Sequence, residues 1–178
     1  MQAPKKSNNY TMQAEIKSYT EQQLLPFWTA RTIDKTHGGF ITHFDEFGND
    51  AGDDEKSLIA QTRSVFTYAQ AYRHGFGGPI MKEMAEHGVK FLLEKMWDTQ
   101  HGGFYWMTDR AGNPTNKQKI GYGHSFAIYS LSEYTLATGD PIGLEYAEKV
   151  FDLLQKHAVD TFHGGYWEFF DEDWTLMG

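Results

Sequence analysis

Few residues of this chain combine a reactive type with a suggestive spacing. Arg63 lies between Ile59 and Phe66, at i−4 and i+3, so on a helix its guanidinium emerges beside an apolar face. A planar, permanently charged fork in that position either grips an anion or snorkels from a packed surface. Glu168 and Asp171 share one aromatic-flanked stretch. They are the candidate carboxylates for glycoside hydrolysis, which needs two carboxyls roughly 5–10 Å apart. His37, His101 and His163 suggest a metal triad by type, but they lie 64 and 62 residues apart, one in each copy of a repeat. A common ion would not draw on such a spread, so they are read as loop anchors and no metal is assigned. With no cysteine, thiolate ligands, cysteine nucleophiles and disulfides are excluded. Neither GxGxxG nor a phosphate loop is present.

The elements that must position these residues follow from internal repetition. His-Gly-Gly followed by an aromatic occurs at His37-Gly38-Gly39-Phe40, His101-Gly102-Gly103-Phe104 and His163-Gly164-Gly165-Tyr166. An aspartate stands three residues before each histidine (Asp34, Asp98, Asp160) and another eight after it (Asp45, Asp109, Asp171). Paired glycines permit the positive φ of a sharp reversal, and the alternating residues that follow suit a short extended segment.

Two helical patterns fill each interval. Lys56–Arg73 carries the stripe Leu58, Thr62, Val65, Ala69, Tyr72, and Ile80–Trp97 carries Met84, Gly88, Leu92, Met96. The second interval holds Tyr122–Ala137 and Leu144–Ala158, the latter with Ala147, Val150, Phe151 and Leu154. Between them Thr138-Gly139-Asp140-Pro141 ends one helix and starts the next. A further helix, Gln13–Thr29, precedes the first loop, with Pro26 expected to end or kink it. Residues 1–12 read as a flexible polar leader, leaving 13–178 as the folded unit. Helix pairs at this period bury their faces only by stacking into a solenoid or closing into a ring.

Composition narrows the partners. Net charge is −8 with no basic run beyond Lys5-Lys6, which argues against nucleic acid and anionic membranes. The N-terminus has no hydrophobic secretory core, and a cytoplasmic location is expected. Aromatic residues reach 16%, enough both to fill a core and to supply faces on which sugar rings stack.

Several of these segments together resemble the N-acylglucosamine 2-epimerase family, the group of cellobiose 2-epimerase, mannose 2-epimerase and mannose isomerase. They are Leu25-Pro26-Phe27-Trp28 with Asp34 and the first His-Gly-Gly-Phe, Gln61-Thr62-Arg63, and Gly121-Tyr122-Gly123-His124-Ser125-Phe126-Ala127. Thr138-Gly139-Asp140-Pro141 and His163-Gly164-Gly165-Tyr166-Trp167-Glu168 complete the match. The resemblance, to the family's N-terminal half, implies an all-α fold: part of an (α/α)6 barrel of helix hairpins with short β-like loops. It implies a monosaccharide or disaccharide substrate, no cofactor, and proton removal at C2 to an enediolate that is reprotonated to the epimer or the ketose. Arg63 is then the catalytic cation on the enediolate oxygens. Tyr122, His124, Phe126, Glu168 and Trp174 are expected to bind substrate, His124 equally open to a structural role at a helix start.

The family's two catalytic histidines come from helices beyond the third loop, and the Asn-x-x-His element expected after Trp174 does not appear by Gly178. The chain alone is therefore expected to be an incomplete, inactive part of an epimerase or isomerase. The alternatives are a half-barrel sugar-binding module and an α/α-toroid glycoside hydrolase or lyase. Exposed repeat faces lead to an expectation of self-association.

Overall fold

Two kinds of helix alternate along the chain, and their apolar patterning decides which lies inside. In the computed structural model, residues 8–52 and 55–178 are described. Helix α1 (Asn8–Tyr19) passes through a π-helical turn at Thr20–Leu24 into α2 (Leu25–Arg31). That wider turn carries the chain past Pro26, whose missing N–H would leave a gap in a regular ladder, so the proline does not end the helix. The helix starts at Asn8, upstream of the boundary expected at residue 13, and residues 1–7 of the expected leader lie outside the described residues.

Helix α3 (Leu58–Arg73) begins two residues later than its apolar pattern suggests. Lys56 and Ser57 belong instead to strand β1 (Glu55–Ser57), and the Ser57 hydroxyl caps α3 by accepting from the Ala60 amide at 3.2 Å. Helix α4 (Ile80–Phe91) runs into a second π-helical turn, Leu92–Met96. Helix α5 (Gly121–Thr138) ends at Gly139, left-handed at φ 77°, and the Asp140 carboxylate then accepts from the Ile142 amide at the start of α6 (Ile142–His157).

Helices α3 and α5 pack side by side, α4 covers α3, and α6 covers α5. α4 and α6 each carry one apolar stripe, as outer helices require, whereas α5 is apolar around most of its circumference. The predicted stripes of α3 and α4 are buried through Leu58, Thr62, Val65, Ala69, Met84, Gly88, Leu92 and Met96. Phe151 is the exception on α6, half exposed beside buried Val150. Close approach explains Gly88, where a Cβ would stand 2.5 Å from Phe40 and Val65 atoms.

The second and third loops are each tied to the repeat before them by short antiparallel strands. β1 pairs with β2 (Met107–Asp109), in register Lys56 with Thr108, and β2 pairs with β3 (Pro114–Asn116). One repeat on, β4 (Lys119–Ile120) pairs with β5 (Phe169–Phe170). Among the described residues no helix is long and apolar enough to cross a membrane.

Candidate functional site

Helices α3 and α5 share one open face, and the candidate residues divide between that face and the core behind it. Arg63 is exposed on α3, its guanidinium 5.7 Å from the centroid of the Phe126 ring on α5. Tyr122 meets Phe126 edge-on at 5.0 Å, and Phe66 stacks on Tyr129 at 4.0 Å, so the two helices build a continuous aromatic floor beside the cation. Of the four arginines, Arg31, Arg73 and Arg110 all bind carbonyl or carboxylate oxygens. Among the described residues, Arg63 has no such partner. Its other flank lines a cavity of about 310 Å3 with Trp28, Phe44 and Thr67.

Glu168 is brought to the same end of α5, where its carboxylate accepts from the Tyr122 amide at 3.1 Å, an anion placed on a helix N-terminus. The adjoining Gly121 amide donates to the Glu168 carbonyl at 2.8 Å. Glu168 thereby fixes the helix start that carries Tyr122, and both line a cleft of about 370 Å3 between α5, α6 and the third loop.

His124 and Trp174 do not reach this face. His124 is fully buried. Its Nε2 accepts from the Phe104 amide at 2.9 Å, which fixes the proton on Nδ1, and Nδ1 donates to the Ile120 carbonyl at 2.8 Å. Burial lowers its pKa to about 4, because an imidazolium there would be stripped of its hydration. With both nitrogens engaged, His124 is a packing residue, and the expectation that it lines a sugar pocket is corrected. Trp174 is buried too, its Nε1 donating to the Gly102 carbonyl at 3.2 Å and its ring stacked on His157 at 5.5 Å. Its φ of 68° is the left-handed value that Gly48 and Gly112 take in the first two copies of the same turn. The indole wedges beneath the second loop, so Trp174 also leaves the substrate-binding set.

The three His-Gly-Gly loops share one backbone. In each, the first aspartate's Oδ1 accepts the amides two and three residues on, which are Thr36 and His37, Gln100 and His101, and Phe162 and His163. The histidines thus anchor their loops through backbone amides rather than through a shared ligand, and no cluster of three metal-ligating side chains occurs among the described residues.

Two buried lysines escaped the sequence reading. Lys56 Nζ donates to Asp34 Oδ2 at 3.0 Å and Lys119 Nζ to Asp98 Oδ2 at 2.8 Å, all four side chains nearly or fully buried. Burial pushes the Asp34 carboxyl up, but Lys56, the His37 amide and Arg110 outweigh it and hold it well below the usual range. Asp98 is lowered in the same way, burial being outweighed by Lys119 and the loop amides. Five residues after each lysine a polar side chain binds the loop aromatic. The Gln61 side chain accepts from the Phe40 amide and donates to its carbonyl, each at 2.8 Å, and His124 binds the Phe104 amide. The 63-residue offset that carries Lys56 onto Lys119 and Gln61 onto His124 was the available signal.

Comparison with known proteins agrees with this architecture. Residues 39–178 match the N-acylglucosamine 2-epimerase (GlcNAc 2-epimerase) family. The chain is 34% identical over 170 residues to a cellobiose 2-epimerase of Bacteroides fragilis, an alignment covering 92% of this chain and 42% of that protein. It is 29% identical over 156 residues to a D-mannose isomerase of Marinomonas mediterranea, covering 88% and 38%. The solved cellobiose 2-epimerase of Spirochaeta thermophila superposes with a TM-score of 0.89 at 33% identity, over 97% of this chain and 43% of that one. A family 76 glycoside hydrolase superposes with a TM-score of 0.71 at 13% identity, a likeness of fold alone. The chain therefore spans about two fifths of the relatives it matches and forms part of an (α/α)6 barrel. With helix hairpins, loop repeats and sequence in agreement over most of its length, the chain belongs to the N-acylglucosamine 2-epimerase family.

Proposed function

We propose that the open face of α3 and α5 is one wall of a sugar site in an epimerase or aldose–ketose isomerase, and that Arg63 holds the enediolate formed when the C2 proton leaves. The observation that carries this reading is Arg63 itself: an exposed guanidinium on an aromatic floor, without a protein oxygen among the described residues. An enediolate presents two adjacent oxygens bearing one developing charge. A guanidinium meets that pair with two parallel N–H donors, and its charge does not depend on pH in the working range. Phe126 and Tyr122 supply apolar faces for the sugar ring, and Tyr122 adds a phenol that pairs with a hydroxyl. Glu168 holds the backbone of Tyr122 in place. The acid–base pair is contributed from outside this face, in keeping with the position of the family's histidines beyond the third loop.

The test is proton exchange at C2 in the protein as its host makes it. Cellobiose or mannose incubated in D2O gains deuterium at C2 under this reading, and no deuterium there with any aldose defeats it. Release of new reducing ends from a disaccharide assigns a hydrolase instead. Arg63→Lys keeps the charge but loses the fork, so turnover falls by about 100-fold or more while helix content is unchanged. Unaltered turnover removes Arg63 from the site.

A further inference from the structure

One arginine of the second loop reaches back and holds the first. The residue after the second aspartate of each repeat is Glu46, Arg110 or Glu172, so the middle copy reverses the charge. Arg110 spends that charge on two carboxylates of loop one. Its Nε donates to Asp34 Oδ2 at 2.9 Å, and a terminal guanidinium nitrogen pairs with Asp50 Oδ2 at 3.0 Å. Asp34 is buried and shared with Lys56, so that end of the fork is fixed. The Asp50 end is partly exposed and leads elsewhere. Asp50 closes a small hairpin: it bridges Phe44 antiparallel, the Ala51 amide donates to the His43 carbonyl at 3.1 Å, and the Asp45 amide donates to the Asn49 carbonyl at 2.9 Å. Phe44 meets the Trp28 ring edge-on at 5.6 Å, and both line the cavity on the flank of Arg63. Arg110 is thus joined through Asp50 to the wall beside Arg63.

We infer that Arg110 is a positioning residue for Arg63: by clamping Asp50 it holds Phe44 and Trp28 as the fixed apolar flank that keeps the Arg63 guanidinium over its aromatic floor. A fixed neighbour removes rotamers from a long side chain before substrate arrives, and an apolar one keeps water from competing for its N–H donors. The donors then stand in place when negative charge develops, at no further ordering cost. The inference rests on the reading that Arg63 holds the enediolate.

Arg110→Gln in the protein as its host makes it tests this, since Asp34 keeps its lysine. Hydrogen exchange at the Ala51 amide should quicken about tenfold as the hairpin loosens. Turnover in the C2 exchange reaction should fall about tenfold with KM nearly unchanged, because Arg63 meets full charge only in the enediolate. In a Phe44→Ala background, where the flank is already gone, Arg110→Gln should lower kcat no further. Asp50→Asn keeps the Oδ1 that accepts from the Gly52 amide at 3.0 Å, so it should reproduce these effects, and it decides the matter if Arg110→Gln does not fold. Losses that multiply across Phe44 and Arg110, or a raised KM at unchanged kcat, show a role independent of Arg63 and overturn the inference. An Ala51 amide unmoved by either substitution overturns it too, whether or not the sugar reading stands. A parent protein that exchanges no proton at C2 defeats the enediolate reading and the link to Arg63 with it, while the Ala51 amide still reports whether Arg110 clamps the hairpin.

Discussion

The second and third loops begin from the same backbone and end in different states. Both reverse on paired glycines at φ 72° and 78° in one and 81° and 82° in the other, and both direct an aspartate at two amides of their own turn. In the second loop the remaining carboxylate oxygen meets Lys119, and Phe104 sinks out of solvent beneath His124. In the third, the same oxygen meets an exposed histidine, and Phe162, Tyr166 and Trp167 face outward. Local sequence therefore makes the turn, and the next helix makes the core. An Asp-x-x-His-Gly-Gly turn tucks in its own aspartate but leaves its aromatic exposed where no lysine-bearing strand is laid against it.

The largest way to break this comparison is to remove the lysine. Lys119→Met leaves Asp98 buried without its cation, a loss of about 3–5 kcal/mol by urea unfolding. Lys56→Met should cost less, about 1–3 kcal/mol, because Arg110 Nε still donates to Asp34 at 2.9 Å. His163→Ala, on the exposed third loop, should leave the midpoint unmoved. Equal losses at the three positions would show that the lysines do not separate closed loops from open ones.

A subtler change sharpens the contrast between the two closed loops, which solve one problem with different side chains. Gln61 has no charge to gain, whereas His124 must stay neutral to accept the Phe104 amide. Its folded pKa, near 4, lies below the ordinary 6.5, so between these values the unfolded chain binds the extra proton. Stability is fully present above pH 6.5 and is lost as pH falls toward 4, by up to about 3 kcal/mol over that window. His124→Gln imports the first loop's solution and should flatten most of this limb. A residual slope comes from His157, also lowered by burial and Lys156. Below about pH 4 the lowered carboxyls of Asp34 and Asp98 then govern acid unfolding. An unchanged limb between pH 6.5 and 4 would mean that His124 is not the proton-linked group.

What the sequence made legible was whatever depends on near neighbours. The His-Gly-Gly turns, the Gly139–Pro141 junction and the buried stripes of α3 and α4 follow from residues a few positions apart. Lys56 and Lys119 were not legible, because a lysine is exposed by default and its aspartate lies 22 or 21 residues upstream. His124 and Trp174 were misplaced for the opposite reason: their types suit a sugar pocket, and nothing local shows that both point into the core. Arg63 and Phe126 come together because α3 and α5 are neighbours in the repeat, whereas Trp28 and Phe44 join Arg63 only through the first loop's path.

The smallest effect isolates a backbone difference within that core. The turn after each His-Gly-Gly loop places Gly48, Gly112 and Trp174 in turn at one left-handed position, with φ of 80°, 90° and 68°. A side chain there crowds the following carbonyl, at a cost of roughly 1–2 kcal/mol, and Trp174 tolerates it because its indole is buried against His124, His157 and Phe170. Truncating the indole should cost about 3 kcal/mol or more whichever small residue replaces it. The informative quantity is the gap between two truncations. Ala normally exceeds Gly in stability because it restricts the unfolded chain, but only where the native φ suits it. At this position Trp174→Gly should be about 1 kcal/mol more stable than Trp174→Ala, since Gly relieves the crowding that Ala retains. If Ala proves equal or better, the turn has relaxed out of the left-handed region once the indole is gone. Packing under the second loop, rather than the turn's own hydrogen bonds, would then be what holds the third copy to the geometry of the first two.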